Sequence, residues 1–232
     1  MHKEIPGVSV ERRALLLLTG ASVLFLGCDR ARAAAVEDET YANFLRSAAD
    51  ALGSLLPATT PGQQDQYIYT VAAKVCRAGG IPFPEGMKDV GLDIRPIDKT
   101  KVFSVVAYRA AAGVIQAPHN HPGYGVATVG YEGAVRVSYF EHDGTPPPYA
   151  SREPFGVRKT CERWLKPRDI ATLTPSRDNI HTFEAGPRGA RWIDVNTELA
   201  PGSGDFSHMR IAPAPGSGHT GDLYQGRWGL KD

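Results

Sequence analysis

Ala117-Pro118-His119-Asn120-His121-Pro122-Gly123 lies in a run of β-forming residues, and Thr174-Pro175-Ser176-Arg177-Asp178-Asn179-Ile180-His181 brings a further histidine well downstream. In an extended strand, side chains at i and i+2 point to the same face, so His119 and His121 can grip one metal ion. An imidazole from a distant strand, that of His181, completes a three-histidine set in the mouth of a barrel.

The residues around these histidines read as strands from about residue 91 onward. Val102-Phe103-Ser104-Val105-Val106-Ala107-Tyr108 is rich in β-branched and aromatic residues. Residues 125–129 and 134–140 follow, with Gly130-Tyr131-Glu132-Gly133 between them predicting a hairpin turn. Further short runs fall at 157–165, 170–173, 181–184 and 190–198. With 25 glycines and 18 prolines in the chain, seven or more short strands between turns predict an all-β sandwich or barrel. Two helices precede it. Tyr41, Phe44, Leu45, Ala48, Leu52, Leu55 and Leu56 keep helical spacing, with Thr40 as N-cap and Pro57 and Pro61 as stops. Residues 63–78 form the second, carrying Tyr67, Val71 and Val75 on one face and ending at Gly79-Gly80. From Pro213 on, the Gly/Pro/Ser-rich residues predict a loosely packed tail.

A chain of 232 residues accommodates one globular domain plus appendages. The division expected is 1–35 export signal, 36–90 helical segment, 91–212 metal-binding barrel and 213–232 tail. The 26 Lys and Arg against 25 Asp and Glu give a net charge of +1, which argues against a polyanion-binding surface; no nucleic acid is expected. Arg12-Arg13 precede an apolar run over 14–26, short of the roughly 20 residues a membrane helix needs. Ala31-Arg32-Ala33 and Ala33-Ala34-Ala35 then offer small-x-small cleavage sites. The paired arginines resemble a twin-arginine signal, with Glu11 where such signals carry Ser or Thr. Leu24-Phe25-Leu26-Gly27-Cys28 resembles a lipoprotein box. The expected location is therefore the periplasm or envelope, with membrane contact only through the signal, a lipid anchor or an uncleaved anchoring helix. A monomer is expected. Cys76 and Cys161 could form a disulfide or stand as two buried thiols. No Cys-x-x-Cys or Cys–His spacing makes them metal ligands.

Neutral imidazole binds iron, zinc, copper and nickel, so ligand type alone does not choose the metal. The positions after His121 are Pro122, Gly123, Tyr124, Gly125 and Val126; none supplies the acid of a two-histidine, one-carboxylate iron site. Three neutral ligands leave a divalent ion its full charge and favour an anionic substrate bound to it. A thiolate suits, because metal coordination deprotonates a thiol. Zinc in the same cage would instead hold an activated water and suggest hydrolysis. His142, His208 and His219 are expected to be exposed or structural.

The segments Pro118–Gly123 and Leu173–His181, with Trp192-Ile193-Asp194-Val195 and Gly204-Asp205-Phe206-Ser207-His208, resemble the cysteamine dioxygenase and plant cysteine oxidase family of thiol dioxygenases. The resemblance covers residues 98–212. It implies a cupin, a jelly-roll β-barrel (double-stranded β-helix) preceded by the two helices and holding one iron(II), Fe(II), with His119, His121 and His181 as ligands. Asp194 matches an acid near the family's active site and is the candidate catalytic residue, orienting a ligand or accepting a hydrogen bond from a substrate amine. Arg177 and Asp178 are expected to brace the loop that presents His181, and Tyr124 and Tyr139 to line the pocket or fill the core. Ser207 and Met209 replace the cysteine–tyrosine pair that crosslinks in the animal enzymes, and Ala200 replaces a family tyrosine. The implied reaction uses O2 to convert a small thiol, or an N-terminal cysteine, to the sulfinic acid. A zinc or nickel hydrolase or isomerase, or a non-catalytic envelope cupin that binds a ligand, remains the alternative.

Overall fold

The computed structural model describes residues 17–18, 21–22, 39–202, 206–214 and 222–229. The export signal expected over 1–35 lies almost wholly outside them. Among the described residues, no helix is long and apolar enough to cross a membrane.

Helix α1 spans Tyr41–Gly53, and the Thr40 hydroxyl accepts from the Asn43 amide at its start. It stops at Gly53, short of Leu55 and Leu56, because the residue before Pro57 is pushed out of helical geometry. Helix α2, Pro61–Arg77, opens on a capping box in which Thr60 and Gln63 satisfy one another's backbone amides. Gly80, with φ of 66°, turns the chain away after it.

Nine strands then form a single sheet: β1 Leu92–Lys99, β2 Ser104–Ala110, β3 Ile115–Asn120, β4 Tyr124–Asp143, β5 Phe155–Leu165, β6 Ile170–Leu173, β7 Ile180–Glu198, β8 Ser207–Pro213 and β9 Leu223–Trp228. The pairings β4–β5–β9–β8–β3–β7 return to β4, which closes the sheet on itself. All of them are antiparallel. The expectation of an all-β barrel accompanied by two helices is thus met in its architecture, and the closed barrel with the two helices fits the cupin fold.

Two sequence expectations are corrected. The hairpin at 130–133 does not exist: residues 124–143 form one long strand that pairs with β7 on both sides of that point. The glycines serve close approach instead of reversal. A Cβ at Gly130 would lie 2.2 Å from the Lys166 carbonyl oxygen, and one at Gly133 would lie 2.4 Å from that of Gly189. The register shifts here, between Ala185 and Ala190, and the two long strands bend together. Nor is everything after Pro213 loose, since β9 pairs with β8 and with β5 and so completes the ring. Trp228 is buried against Phe155, and its indole N–H donates to the Pro147 carbonyl.

Alternation along β4 and β7 sorts the core into layers. Ala127, Val129, Ile193 and Val195 face the helices and bury Phe44, Leu52, Tyr67, Ile68 and Val71. Val126, Val137, Tyr139, Phe183 and Trp192 point the other way, into the barrel. Cys161, on β5 in this inner layer, is disulfide-bonded.

Candidate metal centre

Strand β3 delivers His119 next to His181 on β7, the two being register partners; His119 is also the partner of His208 on β8. His121 follows one residue past the end of β3. All three imidazoles are buried, with exposures of 5%, 8% and 1% for His119, His121 and His181.

The His181 Nε2 lies 3.0 Å from the Nε2 of His121 and 3.0 Å from that of His119. The three ligating atoms fall within 4.8 Å of one another. Nitrogens about 2.1 Å from a common ion lie about 3.0 Å apart at right angles and about 3.4 Å apart at the tetrahedral angle. The two 3.0 Å separations, both from His181, match pairs of nitrogens at right angles. The Nδ1 of His119 sits 2.9 Å from the Ala117 carbonyl oxygen. Only a protonated Nδ1 makes that bond, so the Nε2 of His119 presents its lone pair to the cluster. The Nδ1 of His181 is buried without such a partner.

Burial also settles the charge. Desolvation pushes the His119 imidazole down to about 4, partly offset by its bond to Ala117. The same cause, aided by the neighbouring imidazoles, holds His121 and His181 well below the ordinary histidine range. The cluster is therefore neutral at physiological pH, the state in which imidazole can ligate.

The loop before β7 is tied down by polar side chains. Asn179 clamps His121 from both sides: its carbonyl oxygens accept from the His121 amide, and its Nδ2 donates to the His121 carbonyl at 2.9 Å. Arg177 donates to Asp65 on α2 at 2.9 Å, to Asp178 at 2.9 Å and to both oxygens of Thr172, and its guanidinium covers the Tyr69 ring. Ser176 adds a bond to Gln64. Asp178, at φ of 55°, receives the Thr160 hydroxyl and gives its amide to Glu141. Arg177 and Asp178 thus brace the loop, as expected. The clamp by Asn179 was missed, and its place beside His121 has no signal in local spacing.

Asp194 is buried in the barrel interior, with Thr128 donating to it at 2.6 Å and Tyr108 forming a second hydrogen bond. Desolvation lifts its carboxyl to about 7 against those two bonds. Its partners are these hydroxyls and not a histidine. Tyr139 packs beside His181, with ring centroids 6.1 Å apart. Phe206, half-exposed, stands edge-on to His119 at 5.9 Å, and the ring of His208 lies 5.6 Å from that of His119. Neither ring was expected at the site. His142 is structural, packed against Phe155 and Trp228; His219 lies outside the described residues. A cleft of about 330 Å³ lined by Asp89, Arg109, Glu132, Arg188 and Arg191 is separate, and no histidine lines it.

A closed β-barrel with three converging, neutral, buried histidines defines a candidate mononuclear metal protein. No family model matches the chain. It is similar to the 2-aminoethanethiol dioxygenase of Mus musculus, 28% identical over 162 residues, which are 58% of this chain and 62% of that protein. The chain thus spans less than two thirds of that relative's length. This similarity, the closed barrel and the three-histidine cluster support the resemblance to the cupin thiol dioxygenases. Among solved structures it is similar to KdgF from Halomonas sp., with a TM-score of 0.34, 18% identity and coverage of 47% of this chain and 79% of that one. The cupin domain of Schizosaccharomyces pombe Cnp3 gives a TM-score of 0.33 at 12% identity, covering 46% and 64%.

Proposed function

We propose that this protein is an iron(II)-dependent thiol dioxygenase, with His119, His121 and His181 as the metal ligands. The observation that carries the reading is the convergence of three neutral Nε2 atoms, two pairs of them 3.0 Å apart, with no carboxylate among them. The similarity to a protein named as a thiol dioxygenase supports it. Iron(II) bound there supplies the redox chemistry for RSH + O2 → RSO2⁻ + H⁺, in which both oxygen atoms end on sulfur.

The chain's own residues set the conditions for that reaction. The neutral imidazoles leave the ion's charge uncancelled, so a thiolate is favoured over a neutral ligand. They do not serve as the base for the thiol, because burial keeps them from holding a proton. Asn179 fixes the backbone of His121, and the Ala117 carbonyl fixes the ring of His119. Phe206, with Tyr139 deeper in, gives the surroundings an aromatic, water-excluding character. Asp194, by gripping Thr128 on β4 and Tyr108 on β2, is a positioning residue for β7, the strand that carries His181. The substrate class is a small thiol such as cysteamine or cysteine, or an N-terminal cysteine. The location proposed is the periplasm or envelope, from the signal-like N-terminus.

Oxygen uptake by the iron(II)-loaded protein against a panel of thiols and an N-terminal-cysteine peptide tests the reading. Uptake with a product heavier by two oxygen atoms is expected. One bound iron per chain with no uptake across the panel would move the assignment to a hydrolytic or ligand-binding cupin.

A further inference from the structure

We infer that the barrel interior carries a built-in route for draining oxidising equivalents away from the histidine cluster, running from His181 through Phe183 and Trp192 to Tyr108, with Asp194 as the proton acceptor at its end. The inference rests on the iron-and-oxygen reading of the site.

Four rings form an unbroken ladder. His181 and Phe183 have centroids 4.6 Å apart, Phe183 and Trp192 lie stacked at 5.2 Å, and Trp192 and Tyr108 lie stacked at 5.1 Å with their planes 5° apart. Packing alone accounts for aromatic contacts in a barrel. It does not account for the order of the rings or for the polar ends. Benzene rings are hard to oxidise, so Phe183 only bridges. Indole and phenol are the oxidisable rings, and they follow in that order away from the metal cluster.

The surroundings of each ring suit a distinct step. The Trp192 Nε1 is fully buried and has no hydrogen-bond partner. An indole that has lost an electron there cannot release its proton, stays strongly oxidising, and hands the deficit on. Tyr108 is hydrogen-bonded to the Asp194 carboxylate, to which Thr128 also donates. Its phenol can therefore give up an electron and a proton together. The balance is complete. With iron(II) held by the three histidines, the O–O bond of hydrogen peroxide would break to two hydroxides by taking one electron from the iron, left as iron(III), and one from Trp192 across the Phe183 contact. Tyr108 then returns one electron to the indole while its proton passes to Asp194. The deficit ends on a neutral phenoxyl at a ring only partly buried, away from the ligands.

The test is to treat the iron(II)-loaded protein with hydrogen peroxide without any thiol, freeze it, and record electron paramagnetic resonance. Oxidised residues are mapped by mass spectrometry in parallel. A tyrosyl signal is expected, altered by ring-deuterated tyrosine and lost in Tyr108→Phe, a change that removes one hydroxyl and leaves the stack intact. Oxidation of His119, His121 and His181 should rise several-fold in Tyr108→Phe and in Trp192→Phe, each checked for folding by circular dichroism and for one iron per chain. A tyrosyl signal that survives Tyr108→Phe, or histidine oxidation equal in wild type and both variants, would overturn the route while leaving the metal assignment standing. Failure to bind iron would remove the functional reading and the route with it.

Discussion

Replacing Arg177 by alanine should weaken both the fold and the metal site, and the structure sets the scale. The guanidinium joins Asp65 on α2, Asp178 and the Thr172 carbonyl and hydroxyl, over the face of Tyr69. Arg177 and Asp65 side chains each retain 27% exposure. Exposed ion pairs contribute at most about 1 kcal/mol, whereas removing one partner of a buried pair costs about 3–5 kcal/mol. A half-buried arginine with four partners lies between, so Arg177→Ala should lose about 2–3 kcal/mol in a urea titration. Removing it frees the Asp178–Asn179 segment that clamps His121 and leads into His181. Disturbing a support one step behind a ligand weakens metal binding by roughly 10–100-fold, and the lower end is expected here because Arg177 touches no histidine. Chelator competition reads that loss. Arg177→Lys keeps the charge but not the fork, and should recover less than half of it. Unchanged stability together with unchanged metal affinity in Arg177→Ala would refute the claim that α2 braces the metal loop.

Other outcomes follow from single contacts. His181→Ala should abolish stoichiometric iron, read by elemental analysis; full iron content with full oxygen uptake would remove His181 from the ligand set. The metal-free protein should lose stability on acidification. His119 falls from about 6.5 unfolded to about 4 folded, so its contribution is present above pH 6.5 and lost as pH falls toward 4. That one residue accounts for about 3 kcal/mol, with His121 and His181 acting in the same direction, so urea midpoints that stay flat between pH 6.5 and 4 would contradict buried, neutral imidazoles. Trp228→Ala should cost about 3–5 kcal/mol by thermal or chemical unfolding, because β9 closes the ring; a change near zero would mean the C-terminal strand is dispensable.

What was legible in the chain was local. Thr40 and the helical spacing behind it mark α1, and the His-x-His pair marks one face of one strand, because caps and periodicities act over a few residues. The hairpin failed for a reason equally physical. Gly130 and Gly133 carry the composition of a turn, but what they satisfy is the close passage of Lys166 and Gly189, residues remote in sequence. The closing strand escaped notice because Leu223, Tyr224 and Trp228 are embedded in glycines and prolines that read as disorder. Asn179 and the ring order Phe183–Trp192–Tyr108 are tertiary facts, since they depend on which strands lie side by side.

The helices and the barrel, which read along the chain as successive segments, are one unit where the metal cluster is concerned. The Tyr67 hydroxyl on α2 donates to the Thr197 hydroxyl on β7, Asp65 and Gln64 hold the loop before β7, and Tyr69 lies beneath Arg177. Residues 64–69 of α2, less than two turns, therefore touch the strand that supplies His181 or the loop that leads into it. The apolar layer between them mixes residues of both, from Phe44 and Leu52 to Ile193 and Leu199. Three histidines with no carboxylate have no charge of their own to anchor an ion, so their hold depends on staying neutral, close and aimed. Burial supplies the first, the Ala117 carbonyl aims the His119 ring, and Asn179 fixes the backbone of His121. The remaining ligand, His181, has no partner at Nδ1, and its placement must come from backbone. The clasp between α2 and the 174–179 loop is what holds that backbone.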